Sequence, residues 1–348
     1  MVKKFMSMRL SIITINYNNA SGLRKTLASV AAQTYRDIEH IIVDGGSTDG
    51  SVDVIREYAE DQTSNIKHQT SHIVKWISEP DNGIYNAMNK GIKIALGRRI
   101  VNSFNRSELV EDKNHGIEIA LGRRVVNKNH TSNITHNTSQ ESLCDYVQIL
   151  NSGDLLASPD VTERMMKALQ VKSEELRAKS EDGKFNSVEL LYGNMVKFDY
   201  ANNRILGKSR EVEYSLRNYY SGTMNHDCCY FRRDLFETYG LYDENLKIVS
   251  DWKWFLQAIG LGHVKPVYVD IDVTIFDASG ISETNLALRN QERRQVLEEL
   301  FPPAVLADYD KHAFETQQMD RLRKHHLYGL VYFIERVLFK LEKWGIIA

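Results

Sequence analysis

The chain has 348 residues, 42% hydrophobic and 26% charged, and its formal net charge of −2 gives no electrostatic basis for binding nucleic acid. Its three cysteines form no CxxC pair, so neither a disulfide framework nor a zinc knuckle is expected, and a reducing cytoplasm fits. The short basic amino terminus lacks the pattern of a signal peptide, and no apolar run approaches the roughly 20 residues that a membrane span needs.

Three predicted strands open the chain, and each carries polar side chains at or just beyond its end. The strands cover residues 10–15, 41–43 and 74–78, and the polar side chains are Thr14 and Asn16, Asp44, and Asp81. Apolar residues at helical spacing separate the strands, so the pattern predicts β-α-β-α order in a parallel sheet. The carboxyl ends of such strands form the edge at which open α/β sheets bind ligands. The alternative for Asp44 is an ordinary capping residue of a strand-to-helix turn.

A glycine pair follows the second strand. Gly45 and Gly46 allow a sharp turn because they carry no Cβ. Ser47 or Thr48 is expected to cap a helix that begins near Asp49. A further helix is predicted after Asp81, with its apolar face spread over residues 84–96.

A tandem repeat interrupts the chain next. Residues 90–102 (KGIKIALGRRIVN) recur at 115–127 (HGIEIALGRRVVN) with 10 of 13 positions identical. One repeat is too few for a solenoid. We interpret residues 98–143 as an insertion that lengthens a surface loop, which costs little closure entropy. A phosphate-binding or lipid-facing patch of arginines is the alternative.

The second half continues the α/β pattern. Strands are predicted at 145–150, at 190–198 and, by alternation, within 264–276, a helix at 161–169, and a charged connection at 172–184. The first of these strands leads into the turn Asn151-Ser152-Gly153-Asp154. His226 and Asp227 precede a strand-like run. Asp251 stands at the start of a helix, where it could also be a simple N-cap.

The last predicted helix is amphipathic. Its apolar residues fall at i, i+3, i+4, i+7, i+10, i+11 and i+14, namely Leu327, Leu330, Val331, Ile334, Val337, Leu338 and Leu341. Basic residues precede this helix. Packing on the protein body or on a second subunit is one interpretation, and an interfacial helix on an anionic membrane surface is the other.

Six segments appear in the order SIITINYNN, IIVDGGSTDGS, EPDNGIYNAMNKG, LNSGD, NHDCCYF and SDWKWFLQ. This order resembles family 2 glycosyltransferases with the GT-A fold, above all bacterial enzymes of the colanic-acid and exopolysaccharide type. The resemblance covers about residues 9–285. It implies an α/β GT-A domain over 1–285, with a Rossmann-like, mostly parallel central sheet flanked by helices. Residues 98–143 would be an insertion, and residues 286–348 a C-terminal helical extension.

The resemblance also implies an activity of the hexosyltransferase type. The expected reaction is an inverting, metal-dependent, non-processive transfer of one sugar from a nucleotide-diphosphate sugar, with UDP as the expected nucleotide. The acceptor would be a glycan or a lipid-linked molecule in capsule, exopolysaccharide or O-antigen biosynthesis. The expected cofactor is Mg²⁺ or Mn²⁺, because a diphosphate leaves readily only when its charge is neutralised. The expected location is cytoplasmic, with peripheral contact to the inner membrane face or dimerisation through the last helix.

The resemblance assigns roles to particular positions. Asp154 matches the metal-binding acid, although Asn151 stands where the family has its first acid. Asp251 matches the general base, and an ordinary carboxyl pKa of about 3.9 would leave it ionised at neutral pH. The expected donor-binding residues are Thr14, Asn16, Asp44, Asp81, Asn151 and Ser282. The expected acceptor-binding residues are His226 and Asp227, the latter in place of the family's glutamine.

Two other functions are alternatives to this expected activity. A processive synthase of the same family would carry a QxxRW motif and membrane spans, but the nearest string, residues 291–295, is QERRQ. A catalytically weak nucleotide-sugar-binding or assembly subunit of a glycosyltransferase complex is the second alternative. Asn151 and the insertion motivate it, whereas the presence of both Asp154 and Asp251 argues against it.

Overall fold

The computed structural model describes residues 8–64, 72–98, 144–179, 187–277, 285–344 and 346. The chain divides into two compact units, Met1–Arg289 and Asn290–Ala348. All of the expected insertion except Arg98 lies outside the described residues, and so does Ser282.

The described part of the first unit is built on a nine-stranded mixed sheet. Its strands are β1 (Leu10–Asn16), β2 (Ile38–Asp44), β3 (Ile73–Ser78), β4 (Tyr146–Asn151), β5 (Leu155–Leu156), β6 (Leu190–Asp199), β7 (Arg204–Lys208), β8 (Cys229–Arg232) and β9 (Pro266–Asp277). Their order is β3-β2-β1-β4-β8-β6-β9-β5, with β7 paired to β6. β3, β2, β1 and β4 are mutually parallel, which confirms the predicted start of the fold. β8 is antiparallel to both of its neighbours.

The helices flank this sheet or form the second unit. They are α1 (Ala20–Ala31), α2 (Ser51–Ser64), α3 (Ile84–Ala95), α4 (Val161–Lys179), α5 (Leu216–Ser221), α6 (Leu235–Thr238), α7 (Ser250–Phe255), α8 (Leu286–Leu300), α9 (Pro303–Lys324) and α10 (Tyr328–Lys343). A 3₁₀ turn at His226–Cys228 precedes β8, and a π-helical turn at Leu256–Leu261 continues α7.

Apolar side chains enclose the parallel half of the sheet. Every residue of β1 and β2 is buried, as expected for strands covered on both faces. Leu23 and Leu27 of α1 belong to one core cluster with Ile42 of β2. Met165 and Leu169 of α4 belong to a second cluster, which includes the beginning of β1. This burial fixes the strand ends at which the polar side chains lie.

Two element boundaries differ from the sequence prediction. α4 runs to Lys179, through most of the segment predicted as a charged connection. Its buried positions Val161, Met165, Leu169 and Ser173 recur every four residues, so the charges of residues 172–179 belong to the solvent face of a continuing helix. β9 is one twelve-residue strand rather than several, and it pairs with β6 through irregular register shifts.

The helix after the glycine pair also begins later than predicted. α2 starts at Ser51 rather than near Asp49. The carboxylate of Asp49 accepts from Ser51 N at 3.1 Å and from Ala20 N at 2.8 Å. Asp49 therefore takes the capping role that was expected of Ser47 or Thr48, and it links the starts of α1 and α2.

The second unit consists of helices in its described part. Arg294 bonds to Glu298 at 2.7 Å within α8 and to Asp310 of α9 at 2.9 Å. α10 has no buried residue. Among the described residues, no helix combines the length and apolar character that crossing a membrane requires.

Candidate active site

A cavity of about 840 Å³ lies at the carboxyl ends of β1 and β2. Its wall also includes the first turn of α3, the turn after β4, His226, Lys247, Ile248 and Asp251. Six of the expected site residues line it, namely Asn16, Asp81, Asn151, Asp154, His226 and Asp251. The fold thus brings polar residues from widely separated parts of the first unit into one cavity.

Asp44 is fully buried and does not line the cavity, although a direct contact with the base or ribose was expected. Its Oδ1 accepts from Asn16 Nδ2 at 2.8 Å and from Ser47 Oγ. Its Oδ2 accepts from Ser47 N at 2.9 Å and from Ser78 Oγ at 2.7 Å. Because these donors come from the ends of β1, β2 and β3, Asp44 ties the three strand ends together. These bonds hold the wall of the cavity, and the expected contact of Asp44 with the base or ribose stays a prediction.

Thr14 is also enclosed and does not reach the cavity. Its Oγ1 lies 2.9 Å from His40 Nε2, and His40 Nδ1 lies 2.9 Å from the Tyr58 hydroxyl. Burial, with a smaller effect from His72, lowers the pKa of His40 to about 3, so the ring is neutral. Thr14 lies two residues before the strand end, inside the buried part of β1. It supports packing there, and its expected contact with the donor stays a prediction.

Asn16 and Asp81 offer oxygen acceptors at the cavity wall. Asn16 Oδ1 is buried and has no hydrogen-bond partner among the described residues. Asp81 Oδ1 accepts from Gly83 N at 2.9 Å, which fixes this carboxylate at the start of α3. A Cβ added at Gly45 would lie 2.4 Å from Asp81 Oδ2, so a glycine is needed for this close approach. The next residue, Gly46, has a φ of +79°, as expected for a sharp glycine turn.

α1 holds the turn that contains Asp154. Thr26 Oγ1 donates to Asp154 O at 2.8 Å and accepts from Gly153 N at 2.9 Å. Asn19 Nδ2 donates to Ser152 O at 3.0 Å. Sequence reasoning missed Thr26 and Asn19. Their separation of seven residues, two helical turns on one face, is the signal that could have paired them.

Asp154 lies where burial disfavours the ionised form of its carboxyl group. It is 4% exposed, and burial together with the negative charge of Asp227 raises its pKa to about 7. Its Oδ1 accepts from Asp277 N at 3.3 Å. Asp154 Oδ2 and Asn151 Oδ1 are both buried and have no hydrogen-bond partner among the described residues.

These oxygens fit a hard divalent cation. Mg²⁺ and Mn²⁺ prefer oxygen ligands, and in phosphate sites they need only one or two protein carboxylates. Within the described ranges, no three His, Cys, Asp or Glu side chains converge as a metal cluster. An ion held by Asp154 and Asn151 would therefore take its other ligands from phosphate and water.

Asp227 does not line the cavity, although an acceptor contact was expected. It is 3% exposed, and its Oδ2 accepts from the Thr274 hydroxyl. Burial raises its pKa, while the charge of His226 lowers it in part. Negative charge on Asp227 raises the pKa of Asp154 and so makes Asp154 harder to ionise.

Asp251 is held by two side chains. His226 Nδ1 lies 3.1 Å from its Oδ2, and the Tyr85 hydroxyl lies 3.0 Å from its Oδ1. Burial alone would raise the pKa of Asp251, but the hydrogen bond and charge of His226 outweigh burial and leave it below the usual value. Burial likewise opposes protonation of His226, yet contact with Asp251 raises the pKa of His226 above its usual value.

Asp251 is not the N-cap of its helix. α7 begins at Ser250, and Val249 is the residue at the N-cap position. On the other side of the pair, His226 Nε2 lies 3.5 Å from Asn151 Nδ2. Asp251, His226 and Asn151 thus form a continuous polar line from α7 to the turn that contains Asp154.

The sequence and two relatives agree on the protein class. Residues 11–103 match the model of Glycosyl transferase family 2. A glycosyltransferase of Mycobacterium tuberculosis strain H37Rv, described as uncharacterised, is 26% identical over 278 residues, covering 78% of this chain and 76% of the relative. A PGL/p-HBAD biosynthesis glycosyltransferase of Mycobacterium bovis strain BCG is 22% identical over 276 residues, covering 79% of each chain.

Solved structures share the fold at low sequence identity. TarS of S. aureus, in complex with UDP-GlcNAc, has a TM-score of 0.51 and 14% identity, over 83% of this chain and 64% of that chain. The mannosyltransferase PcManGT of Pyrobaculum calidifontis, in complex with GDP-Man and Mn²⁺, has a TM-score of 0.50 and 16% identity, over 84% and 64%. The protein thus spans slightly less than two thirds of each of these structures and has their GT-A fold. Residues 11–103 are thus similar to family 2 glycosyltransferases, and both mycobacterial relatives are named as glycosyltransferases.

Proposed function

We propose that the protein is an inverting, metal-assisted, non-processive enzyme that moves one sugar from a UDP-sugar to a hydroxyl of a glycan or lipid-linked acceptor. The observation that carries the proposal is that Asp154 and Asp251 line one cavity and that their pKa values are shifted in opposite directions. The pKa of Asp251 lies below its usual value, whereas that of Asp154 is raised to about 7. An inverting transfer needs both a ready base and a place to offset the charge of the leaving group.

Asp251 is the proposed general base. It takes the proton of the acceptor hydroxyl while that oxygen forms a bond to the anomeric carbon of the donor sugar. The bond between this carbon and the diphosphate oxygen breaks, and the nucleoside diphosphate leaves with the electron pair. His226 holds Oδ2 of the base at 3.1 Å and favours its ionised form.

Asp154 and Asn151 are the proposed ligands of Mg²⁺ or Mn²⁺. When bound, the ion supplies positive charge that offsets the charge of the leaving diphosphate. Their unpartnered buried oxygens support this assignment, since a buried carboxyl with a raised pKa is better neutralised by a cation than left charged. The Mn²⁺ in the mannosyltransferase structure supports the same cofactor class.

Asn16 and Asp81 are the proposed ligands of the donor nucleotide and ribose. Asn16 Oδ1 has no partner in the described part of the chain, and Asp81 is positioned by Gly83 N at the cavity wall. The UDP-GlcNAc complex of TarS supports a UDP-sugar donor. Because the mannosyltransferase binds GDP-Man, GDP-sugars are also candidate donors.

The proposed acceptor side includes His226, and the proposed pathway is capsule, exopolysaccharide or O-antigen biosynthesis. A lipid-linked acceptor would bring the enzyme to a membrane surface. The exposed apolar side chains of α10, such as Leu330 at 57% and Phe333 at 64% exposure, support contact with the interfacial region of a bilayer. Residues 321–348 contain six Lys and Arg against two Glu, which favours anionic lipid.

A donor screen tests the proposal. The purified protein is incubated with UDP-, GDP- and TDP-sugars in the presence of Mn²⁺, Mg²⁺ or chelator, and the released nucleoside diphosphate is measured. We expect slow metal-dependent release from one donor and faster release when a membrane-lipid extract provides the acceptor. Absence of turnover with every donor and extract would contradict the proposal and favour the assembly-subunit alternative.

Two variants assign the roles in the same assay. Asp251→Asn should lower transfer by about a hundredfold to ten-thousandfold, the usual effect of losing a general base, while nucleotide binding persists. Asp154→Ala should remove the metal dependence together with turnover. Transfer at the normal rate by Asp251→Asn would show that another group is the base.

A further inference from the structure

Tyr85 contacts the carboxylate that we propose as general base. It lies in the first turn of α3, its side chain is 4% exposed, and its ring packs on Tyr242 with the centroids 5.6 Å apart. Its hydroxyl lies 3.0 Å from Asp251 Oδ1 and 2.6 Å from Ile248 O. No sequence pattern assigned Tyr85 a role, and the segment EPDNGIYNAMNKG contains it only as part of a motif.

The Tyr85 hydroxyl remains protonated throughout the neutral range. Burial, followed by the negative charge of Asp251, raises the pKa of Tyr85 well above its usual value of 10. The single proton of this hydroxyl has two acceptors within reach, Ile248 O at 2.6 Å and Asp251 Oδ1 at 3.0 Å, while His226 contacts Oδ2. A carboxylate has about four lone-pair sites, so His226, Tyr85 and the backbone N–H of Trp252 leave at least one of them for the acceptor hydroxyl.

α3 connects this contact to the donor wall of the cavity. Asp81 lies four residues before Tyr85, in the turn that starts the helix. One turn after Tyr85, Asn89 Nδ2 donates to Tyr242 O at 2.8 Å, and Tyr242 N donates to Asn89 Oδ1 at 3.0 Å. Asp81 thus lies in the turn just before α3, and α3 itself is hydrogen-bonded to the segment that leads to Asp251.

We infer that Tyr85 is a positioning residue that orients Asp251 toward the acceptor and favours its ionised form. This inference rests on the proposed role of Asp251 as the base. Other titratable groups that face Asp251 are His226 from the 3₁₀ turn, Tyr242 from the segment before α7 and Cys229 from β8. Burial raises the pKa of Tyr242 and of Cys229 well above their usual values, so neither adds charge.

Tyr85→Phe tests the inference, because it removes the hydroxyl and keeps the ring. With the nucleotide-sugar that turns over in the donor screen, kcat should fall by about tenfold to a hundredfold, the effect of one hydrogen bond to a charged group. The acid limb of kcat/KM should move to higher pH, because ionised Asp251 loses a donor. Affinity for the nucleoside diphosphate, measured by calorimetry, should change by less than about twofold, since Tyr85 acts on the base.

Tyr242→Phe is the matched control. Its hydroxyl is buried beside the same carboxylate but has no hydrogen-bond partner in the described part of the chain. Its loss should therefore leave kcat and the acid limb unchanged. An acid limb of Tyr85→Phe that coincides with the wild-type limb would overturn the inference.

A double-mutant cycle separates positioning from a merely structural role. In the Asp251→Asn background, Tyr85→Phe should cause no further loss of rate, whereas an equal loss in both backgrounds would overturn the inference. If Asp251→Asn itself retains full transfer, the proposed base is wrong, and that failure is distinct from a failure of Tyr85 alone.

If Tyr85→Phe does not fold, 3-fluorotyrosine at position 85 keeps a more acidic donor and should move the acid limb to lower pH. An unmoved limb would again contradict the inference.

Discussion

Asp154 and Asp251 are both buried carboxylates, yet their neighbours drive their ionisation in opposite directions. Burial, with the negative charge of Asp227, raises the pKa of Asp154 to about 7, and its Oδ2 has no hydrogen-bond partner among the described residues. Burial raises the pKa of Asp251, but the hydrogen bond and charge of His226, with smaller contributions from the backbone of Trp252 and from Tyr85, together outweigh burial and lower it. The neighbours of Asp154 suit it to bind a cation, and those of Asp251 suit it to accept a proton.

The raised pKa of Asp154 predicts a pH-dependent cost in the metal-free protein. An unfolded Asp titrates near 3.9, whereas the folded carboxyl has a pKa of about 7. Below about pH 4 both states are protonated; between about pH 4 and 7 ionisation favours the unfolded state, and above pH 7 the cost is constant. Asp154→Asn should therefore gain stability over the wild type as pH rises from about 4 to 7, by on the order of a few kcal/mol.

Thermal unfolding of both proteins in chelator across this pH range measures the difference. Asp53→Asn is a suitable control because that side chain is 75% exposed, and its gap to the wild type should not grow with pH. Adding Mn²⁺ at pH 8 should raise the Tm of the wild type but not of Asp154→Asn. A stability gap that is constant with pH would contradict the burial argument.

The residue types of the site were predictable from sequence more readily than their individual contacts. Asp81, Asp154, His226 and Asp251 lie in the cavity because their motifs place them at strand ends, in turns or beside helix starts. For Asp44 the sequence shows a carboxylate at a strand end but not the donors that surround it. Whether a polar group is satisfied internally depends on partners that are distant in the chain.

At the scale of elements, the turn after β2 meets the segment after β3 at close range. Gly45 has no room for a side chain because Asp81 Oδ2 occupies that position. The parallel strands place these two turns side by side, and Asp44 holds both strand ends. The position of Asp81 therefore depends on the absence of a side chain at Gly45.

Gly45→Ala should impair binding more than stability. The added methyl would displace Asp81, the end of whose side chain can move at little cost to the fold. We expect a loss of unfolding free energy below about 1 kcal/mol and a nucleotide Kd weakened by about tenfold, the effect of a lost hydrogen bond. Calorimetric titration with UDP and GDP measures the affinity. Gly207→Ala is the control, since no atom lies within 4 Å of its added Cβ, and unchanged affinity in Gly45→Ala would contradict the argument.

Sequence patterns predicted the existence of elements better than their ends. The parallel start of the sheet follows from β-branched runs separated by helical periodicity. The prediction ended α4 too early because charged residues were interpreted as a connection, although the buried positions keep the helical period to Ser173. β9 continues as one strand because pairing with β6 supports it along its length, and such pairing has no local signal in the sequence.

At the scale of the whole molecule, charge is distributed unevenly along a chain of net charge −2. The last 28 residues carry six Lys and Arg and two Glu, so the rest of the chain is more acidic than the total suggests. Apolar residues of α10 at 330, 333, 334, 337, 338 and 341 recur at helical spacing and form one face. Such a wide apolar face with cationic flanks favours an anionic bilayer surface over the narrower seam of a coiled coil.

Leu330→Glu and Phe339→Glu form a matched pair for this proposal. Both side chains are exposed, at 57% and 66%, but Leu330 lies on the apolar face and Phe339 on the opposite side of α10. Each change adds one negative charge, which near an anionic membrane costs about 1 kcal/mol, or roughly fivefold in partitioning. Only Leu330→Glu also removes a leucine that enters the bilayer interface on binding, so its partitioning should fall by more than about tenfold. Co-sedimentation with vesicles of phosphatidylglycerol and phosphatidylcholine measures both, and both should bind less in high salt. Equal losses for the two variants would show that α10 has no preferred lipid face, and unchanged binding of Leu330→Glu would remove the membrane role from this helix.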